Sequence, residues 1–169
     1  LKEVSAPYGY VLSHEAVKFD VTEENSTEES GVTIVAVKLG NYAQKGIIKI
    51  SKTGEVFAYV TAADGVYQPV YTVQGLAGAT YEIKAAEDIY TPDGTLRCSA
   101  GEVVDTVTTG ADGLAESKPL YLGKYEITEM KAPNGMVVNK DAHTAELVYA
   151  GQEIEITETA ASFCNDRQK

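Results

Sequence analysis

The stretch Tyr121-Leu-Gly-Lys-Tyr-Glu-Ile-Thr-Glu-Met-Lys-Ala-Pro133 decides the fold. After the Leu-Gly turn, strand alternation puts Tyr125, Ile127 and Glu129 on one face and Lys124, Glu126 and Thr128 on the other. The second set is the solvent face, so Glu129 points inward with two large apolar side chains. A buried carboxylate is costly unless it is neutralised, paired or hydrogen-bonded. Glu129 therefore needs partners, and two other strands supply them. In Ile47-Ile-Lys-Ile-Ser-Lys52, the residues Ile48, Ile50 and Lys52 share a face, which makes Lys52 an inward lysine. In Thr159-Ala-Ala-Ser-Phe-Cys-Asn165, the residues Ala161, Phe163 and Asn165 share a face. A lysine, a glutamate and an asparagine each close an inward apolar strand.

Around these strands the chain reads as all-β. Its 169 residues are 44% hydrophobic, enough for one ordinary domain or one domain plus part of another. There is no long 3.6-residue stripe. Asp64-Gly, Asp93-Gly, Asp112-Gly and Asn134-Gly separate short alternating runs, the pattern of a sandwich or barrel. Residues 54–74 read as an additional hairpin. The face of Ala79, Tyr81 and Ile83 turns inward, Glu102–Val107 is a strand, and residues 108–113 are a loop. Leu120–Glu129 reads as one central strand, and Ala145–Val148, Glu153–Thr157 and Thr159–Asn165 complete the sheet.

The front of the chain repeats its end. Leu1-Lys-Glu3-Val-Ser-Ala-Pro7-Tyr-Gly9-Tyr-Val-Leu12 aligns without gaps on Ile127-Thr-Glu129-Met-Lys-Ala-Pro133-Asn-Gly135-Met-Val-Val138. Val35–Lys45 aligns in the same way on Thr159–Lys169, with Asn41 opposite Asn165. Glu3 and Asn41 have no lysine strand ahead of them. Residues 1–44 thus read as the back half of one module and 45–169 as a whole one, with the half module ordered only by packing on its neighbour or another chain. The acidic run Glu23–Gly31 reads as a solvated hairpin loop.

Charge and composition exclude several functions. A net charge of −11 speaks against nucleic acid, which requires clustered Lys and Arg. No signal peptide, membrane-spanning segment or sorting tail is visible, and the chain opens without Met, as an excised fragment does. His14 and His143 have no ligand-like spacing and read as solvent-facing, so no metal site and no cofactor are expected. Cys164 faces outward and Cys98 lies near a turn. Two separate thiols and a disulfide between them both remain open. A conventional enzyme lacks support: no phosphate loop, metal-spaced cluster or Ser-His-Asp signature is present.

Four pieces in this order resemble the SpaA-type pilin and Cna protein B-type repeat domains of Gram-positive surface proteins. They are Gly46–Lys52, Gly75-Leu-Ala-Gly-Ala-Thr-Tyr-Glu-Ile83, Gly123–Pro133 and Phe163-Cys-Asn165. Met136 departs from the tyrosine common after the Ala-Pro-x-Gly turn. The resemblance implies a prealbumin-like, inverse-immunoglobulin β-sandwich. It also implies an intramolecular isopeptide bond between Lys52 and Asn165, promoted by Glu129. Burial disfavours charge, so a buried lysine can present the neutral amine that attacks Asn165 Cγ, while a protonated carboxyl polarises the carbonyl and passes the proton to departing ammonia. A plain buried Lys52–Glu129 ion pair, with Asn165 hydrogen-bonded beside it, is the competing reading.

The implied function is a structural stalk module of a secreted, wall-attached protein or pilus, whose partners are neighbouring repeat modules and which does not enter the membrane. The alternative is an adhesin module gripping a host matrix protein or glycan through loops 62–75 or 88–101, with Tyr67 and Tyr71 as its best support.

Overall fold

The computed structural model describes residues 1–168, so the last residue of the expected 45–169 module lies outside it. Thirteen strands and no helix occur among the described residues. In chain order they are β1 (Ser26–Glu29), β2 (Val32–Val35), β3 (Lys45–Ala63), β4 (Val66–Gly75), β5 (Thr80–Ala85), β6 (Ile89–Tyr90) and β7 (Leu96–Cys98). Then come β8 (Val103–Thr108), β9 (Leu114–Glu116), β10 (Leu120–Tyr121), β11 (Gly123–Lys131), β12 (His143–Leu147) and β13 (Ile156–Asn165). Two sheets face each other. One has β3 at its centre, paired with β13, β10, β9 and β4; the other runs β12-β11-β5-β8.

Alternation decides which side chains fill the space between the sheets. On β3 the inward set is Gly46, Ile48, Ile50, Lys52 and Gly54, each buried, with half-buried residues between them. Tyr81 and Ile83 of β5 and Tyr125 and Ile127 of β11 close the core from the other sheet, all with no exposed surface. A smaller cluster of Leu76, Ala132 and Met136 covers the end of the sandwich beside Gly54. Met136 thus fills a packing position. A Cβ on Gly54 would lie 2.6 Å from Leu76 Cδ1 and 3.2 Å from the Asn165 backbone oxygen, so a larger residue would force this crossing to shift.

The additional hairpin is present and longer than a turn. β3 runs on past Gly54 and pairs with β4 out to Asp64-Gly65. Both tip residues have positive φ, 51° and 76°, as a two-residue primed turn requires. Phe57, Tyr59, Val60, Tyr67 and Val73 on this arm are exposed.

Four local expectations change. The span Leu120–Glu129 is two strands: β10 pairs with β3, and the chain crosses at Leu122 to the other sheet as β11. Residues 153–155 are not strand, and β13 is continuous from Ile156. β9 was not foreseen; the Asp112-Gly turn announces a reversal just before it, but its pairing with Lys49–Ser51 of β3 is a long-range fact. His143 is not solvent-facing. It pairs in register with Ile127 and stacks on Phe163, ring centroids 4.4 Å apart. The alternation His143, Ala145, Leu147 carried that signal. Both cysteines are free thiols, Cys164 exposed and Cys98 half-buried.

Residues 1–43 form little regular structure beyond the β1–β2 hairpin, and Gly9 alone among them is buried. Phe19, Val32 and Ile34 remain exposed.

Candidate crosslink site

The three residues isolated by alternation meet at one point. β13 runs parallel to β3, with Phe163 opposite Lys52 and Asn165 opposite Gly54. Two neighbouring strands of one sheet therefore present the lysine and the asparagine, while Glu129 reaches them from β11 of the facing sheet. Lys52, Glu129 and Asn165 are 1%, 2% and 4% exposed.

Lys52 sits where β3 changes partner, from β9 on one side to β4 beyond it. Its N–H donates to Gly113 O at 2.8 Å and its carbonyl accepts from Leu76 N at 2.9 Å. Both bonds lie on the β9–β4 edge of β3, and β13 pairs along the opposite edge. Lys52 Nζ contacts Asn165 Oδ1 and lies 3.3 Å from Glu129 Oε1.

Glu129 is held from four directions. Its oxygens accept from Asn165 Nδ2 at 3.0 and 2.8 Å, from the Asn139 backbone N–H at 2.8 Å and from the Tyr81 hydroxyl at 3.4 Å, with the Lys52 amine as the fourth partner. Tyr81 and Asn139 were not singled out from sequence. Tyr81 shares the inward face of β5, which was visible; the Asn139 contact is a backbone one that no side-chain pattern signals. Burial lowers the Lys52 pKa from its ordinary value of 10.5, against the opposing pull of the Glu129 carboxylate. Desolvation and the same carboxylate push the Tyr81 hydroxyl up, so it stays a donor.

The Glu129 carboxylate accepts from the amide nitrogen of Asn165, and the Lys52 amine meets Oδ1.

Glu3 and Asn41 are also brought together, in the same way as their counterparts. Asn41 Nδ2 donates to Glu3 Oε2 at 2.7 Å and the Ser13 N–H to the same oxygen at 2.9 Å, as Asn165 Nδ2 and the Asn139 N–H do for Glu129 Oε2. The backbone repeats too. Val11 N–H donates to Tyr42 O at 2.9 Å and Val137 N–H to Asp166 O at 2.9 Å. What differs is solvent and partner. Glu3 and Asn41 are half-buried, and among the described residues no lysine pairs with Glu3. No cluster of metal-binding side chains occurs among the described residues.

Comparison with known proteins assigns the fold family. A 73-residue stretch is 32% identical to the trypsin-resistant surface T6 protein of Streptococcus pyogenes, covering 42% of this chain and 14% of that protein. The Bacillus anthracis TIE protein superposes over 98% of this chain and 24% of its own, with a TM-score of 0.52 and 23% identity. GBS52, the minor pilin of Streptococcus agalactiae, covers 75% of this chain and 46% of its own, at a TM-score of 0.47 and 14% identity. The chain thus spans about a seventh of the T6 protein and a quarter of the TIE protein. Residues 70–160, more than half of the chain, match the family model for the SpaA prealbumin-like fold domain. By its sequence match and its two-sheet architecture, this chain belongs to the SpaA family of prealbumin-like domains.

Proposed function

We propose that residues 45–169 are a structural module of a Gram-positive surface protein or pilus, tied internally by an isopeptide bond between Lys52 and Asn165. The observation that carries it is the convergence of Lys52, Glu129 and Asn165 in one buried point from three strands. In the reaction Lys52 Nζ attacks Asn165 Cγ as the neutral amine, and the Cγ–Nδ2 bond breaks. One amine proton travels through the Glu129 carboxylate to Nδ2, which leaves as ammonia, so amine plus amide becomes secondary amide plus ammonia. Positioning of this quality is worth on the order of 7–11 kcal/mol over the bimolecular reaction. The step occurs once per molecule, so this is self-processing and not turnover.

The mechanical sense follows from the parallel pairing of β3 and β13. Tension entering at Lys45 and leaving past Asn165 passes along residues 45–52 and across the amide, and the strands between are shielded. Family membership and the T6 surface relative support a place on the cell surface or wall, with neighbouring repeat modules as partners. Residues 1–44 are, on this reading, the back half of a preceding module, with Glu3 and Asn41 as the glutamate and asparagine of its own site.

Intact mass of the denatured protein tests the bond, beside Lys52→Ala and Glu129→Gln. A wild-type mass short by one ammonia, with full mass in both variants, is the expected result. A full wild-type mass would leave the buried ion pair.

A second reading, an adhesin, has one observation in its favour: the β3–β4 arm presents Phe57, Tyr59 and Tyr67 to solvent on a ribbon outside the core. Binding to matrix proteins or glycans that vanishes when residues 56–73 are replaced by a short turn is its test.

A further inference from the structure

Gln44 is a buried polar side chain that neither the core nor the crosslink uses. It is 1% exposed. Its Nε2 donates to Gly151 O at 2.9 Å and to Ile154 O at 2.5 Å, and its Oε1 accepts from Ala150 N–H at 2.9 Å. An amide side chain offers two donors and one acceptor oxygen, so one loop occupies every function Gln44 has.

The same loop holds residues 6–12 through other atoms. Gln152 Oε1 accepts from the Ala6 N–H at 2.8 Å and Gln152 O from the Leu12 N–H at 2.9 Å. The Tyr8 ring meets Tyr149 edge-on at 4.5 Å. Gly9 packs so tightly on the neighbouring turn that a Cβ would lie 2.5 Å from Pro92 Cγ. Gln44 N–H in turn donates to Gly9 O at 2.8 Å, binding the two parts of the tail to each other.

We infer that loop 149–154 with Pro92 is a docking face for the tail of a preceding repeat, read as a Pro-x-Gly-x turn with a glutamine against it. Here those are Pro7–Tyr10 and Gln44, and the joint is a fixed coupling and not a hinge. Inter-domain motion is the default for a small interface. What opposes it is that the contacts are saturated backbone and amide bonds at a residue directly preceding β3.

The duplicate supports the assignment. Pro133–Met136 and Gln168 repeat the tail: Met136 N–H donates to Pro133 O at 3.1 Å and Gln168 N–H to Gly135 O at 2.9 Å, as Tyr10 and Gln44 do. Gln168 Nε2, however, folds back to Met136 O at 3.2 Å. This comparison rests on reading residues 1–44 as the back half of a repeat. The joint itself stands on the contacts alone.

The test is amide hydrogen exchange and 15N relaxation on the full chain, with Gln44→Ala and Gln152→Ala. In wild type, residues 6–12 are expected to tumble with the β-sandwich as one body, and Ala6, Leu12 and Ala150 amides to be protected. Gln44→Ala should speed exchange at Ala150 about tenfold. It should also speed exchange several-fold at Ala6 and Leu12, whose acceptor Gln152 is untouched. Gln152→Ala, reaching the joint from the other side, should loosen Ala150 in return, and it keeps the test open where Gln44→Ala fails to fold. Separate tumbling of residues 6–12 in wild type would overturn the inference. So would Ala6 and Leu12 exchange that ignores Gln44→Ala. An ammonia loss, present or absent, reports only on the crosslink and leaves this result independent.

Discussion

Glu129→Gln is the most informative single change. It removes the one negative charge beside Lys52, which is 1% exposed, and it sets an amide where four donors now converge. Two costs follow. On the proposed chemistry, the crosslink does not form without a proton carrier. The proposed Lys52–Asn165 link would span 113 residues, for which the chain-entropy relation gives about 5 kcal/mol. Stranding a buried lysine adds about 3–5 kcal/mol, as when one partner of a buried pair is deleted. The sum, about 8–10 kcal/mol, rivals the whole stability of an ordinary domain. The double variant Lys52→Met/Glu129→Gln separates the two. It also lacks the link but strands no charge, so it should lose only the loop-closure part, about 5 kcal/mol. Guanidinium unfolding, paired with intact mass, reads both. The double variant's midpoint should fall by roughly 1–2 M and that of Glu129→Gln clearly further. Ammonia loss in Glu129→Gln would refute the role of the carboxylate. A double variant as stable as wild type would refute the link as a source of stability.

Three other outcomes are expected. In Asn165→Ala, which keeps the amine and cannot crosslink, burial holds the folded Lys52 pKa below 10.5. The unfolded chain then binds more protons, so stability should rise with pH from the lowered folded value up to 10.5; denaturant midpoints that stay flat across that window would contradict it. Gly75→Ala would bring a Cβ to 2.1 Å from the Asp112 carbonyl oxygen, a backbone atom that cannot swing aside. It should cost at least about 2–3 kcal/mol by thermal unfolding, whereas Val73→Ala on the exposed arm should stay within about 0.5 kcal/mol. Replacing residues 58–69 by a two-residue turn, which keeps Val56 on the Leu76–Ala132–Met136 cluster and Tyr71 under Arg167, should leave the crosslink mass intact and change stability by no more than about 1 kcal/mol, because a two-stranded ribbon adds little alone.

Much of the fold was legible locally. A strand's period of two is fixed by backbone geometry, so the inward positions of Lys52, Tyr81, Glu129 and Asn165 followed from their neighbours alone. Asp64-Gly65 announced its hairpin for the same reason: two residues that tolerate positive φ sit where a primed turn needs them. The internal repeat was equally plain, and it extends to matched hydrogen bonds around Glu3 and Glu129.

Tertiary structure decided the rest. Nothing within Ile156–Asn165 says that it pairs with β3, in parallel, with Phe163 against Lys52; that register depends on two packed sheets and on strands far apart in sequence. The crossing at Leu122 shifts the inward set from Leu120 to the odd-numbered Tyr125, Ile127 and Glu129, but which sheet each segment joins is set by partners far away in sequence. Asn139 and Gly113 act through backbone atoms, which side-chain patterns do not encode. The partners of Gln44 in loop 149–154 lie more than 100 residues away, so no local pattern names them. The sequence alone determined which side chains turn inward, since that is a property of one strand. Which of them meet is a property of three strands at once, and only the folded chain could decide it.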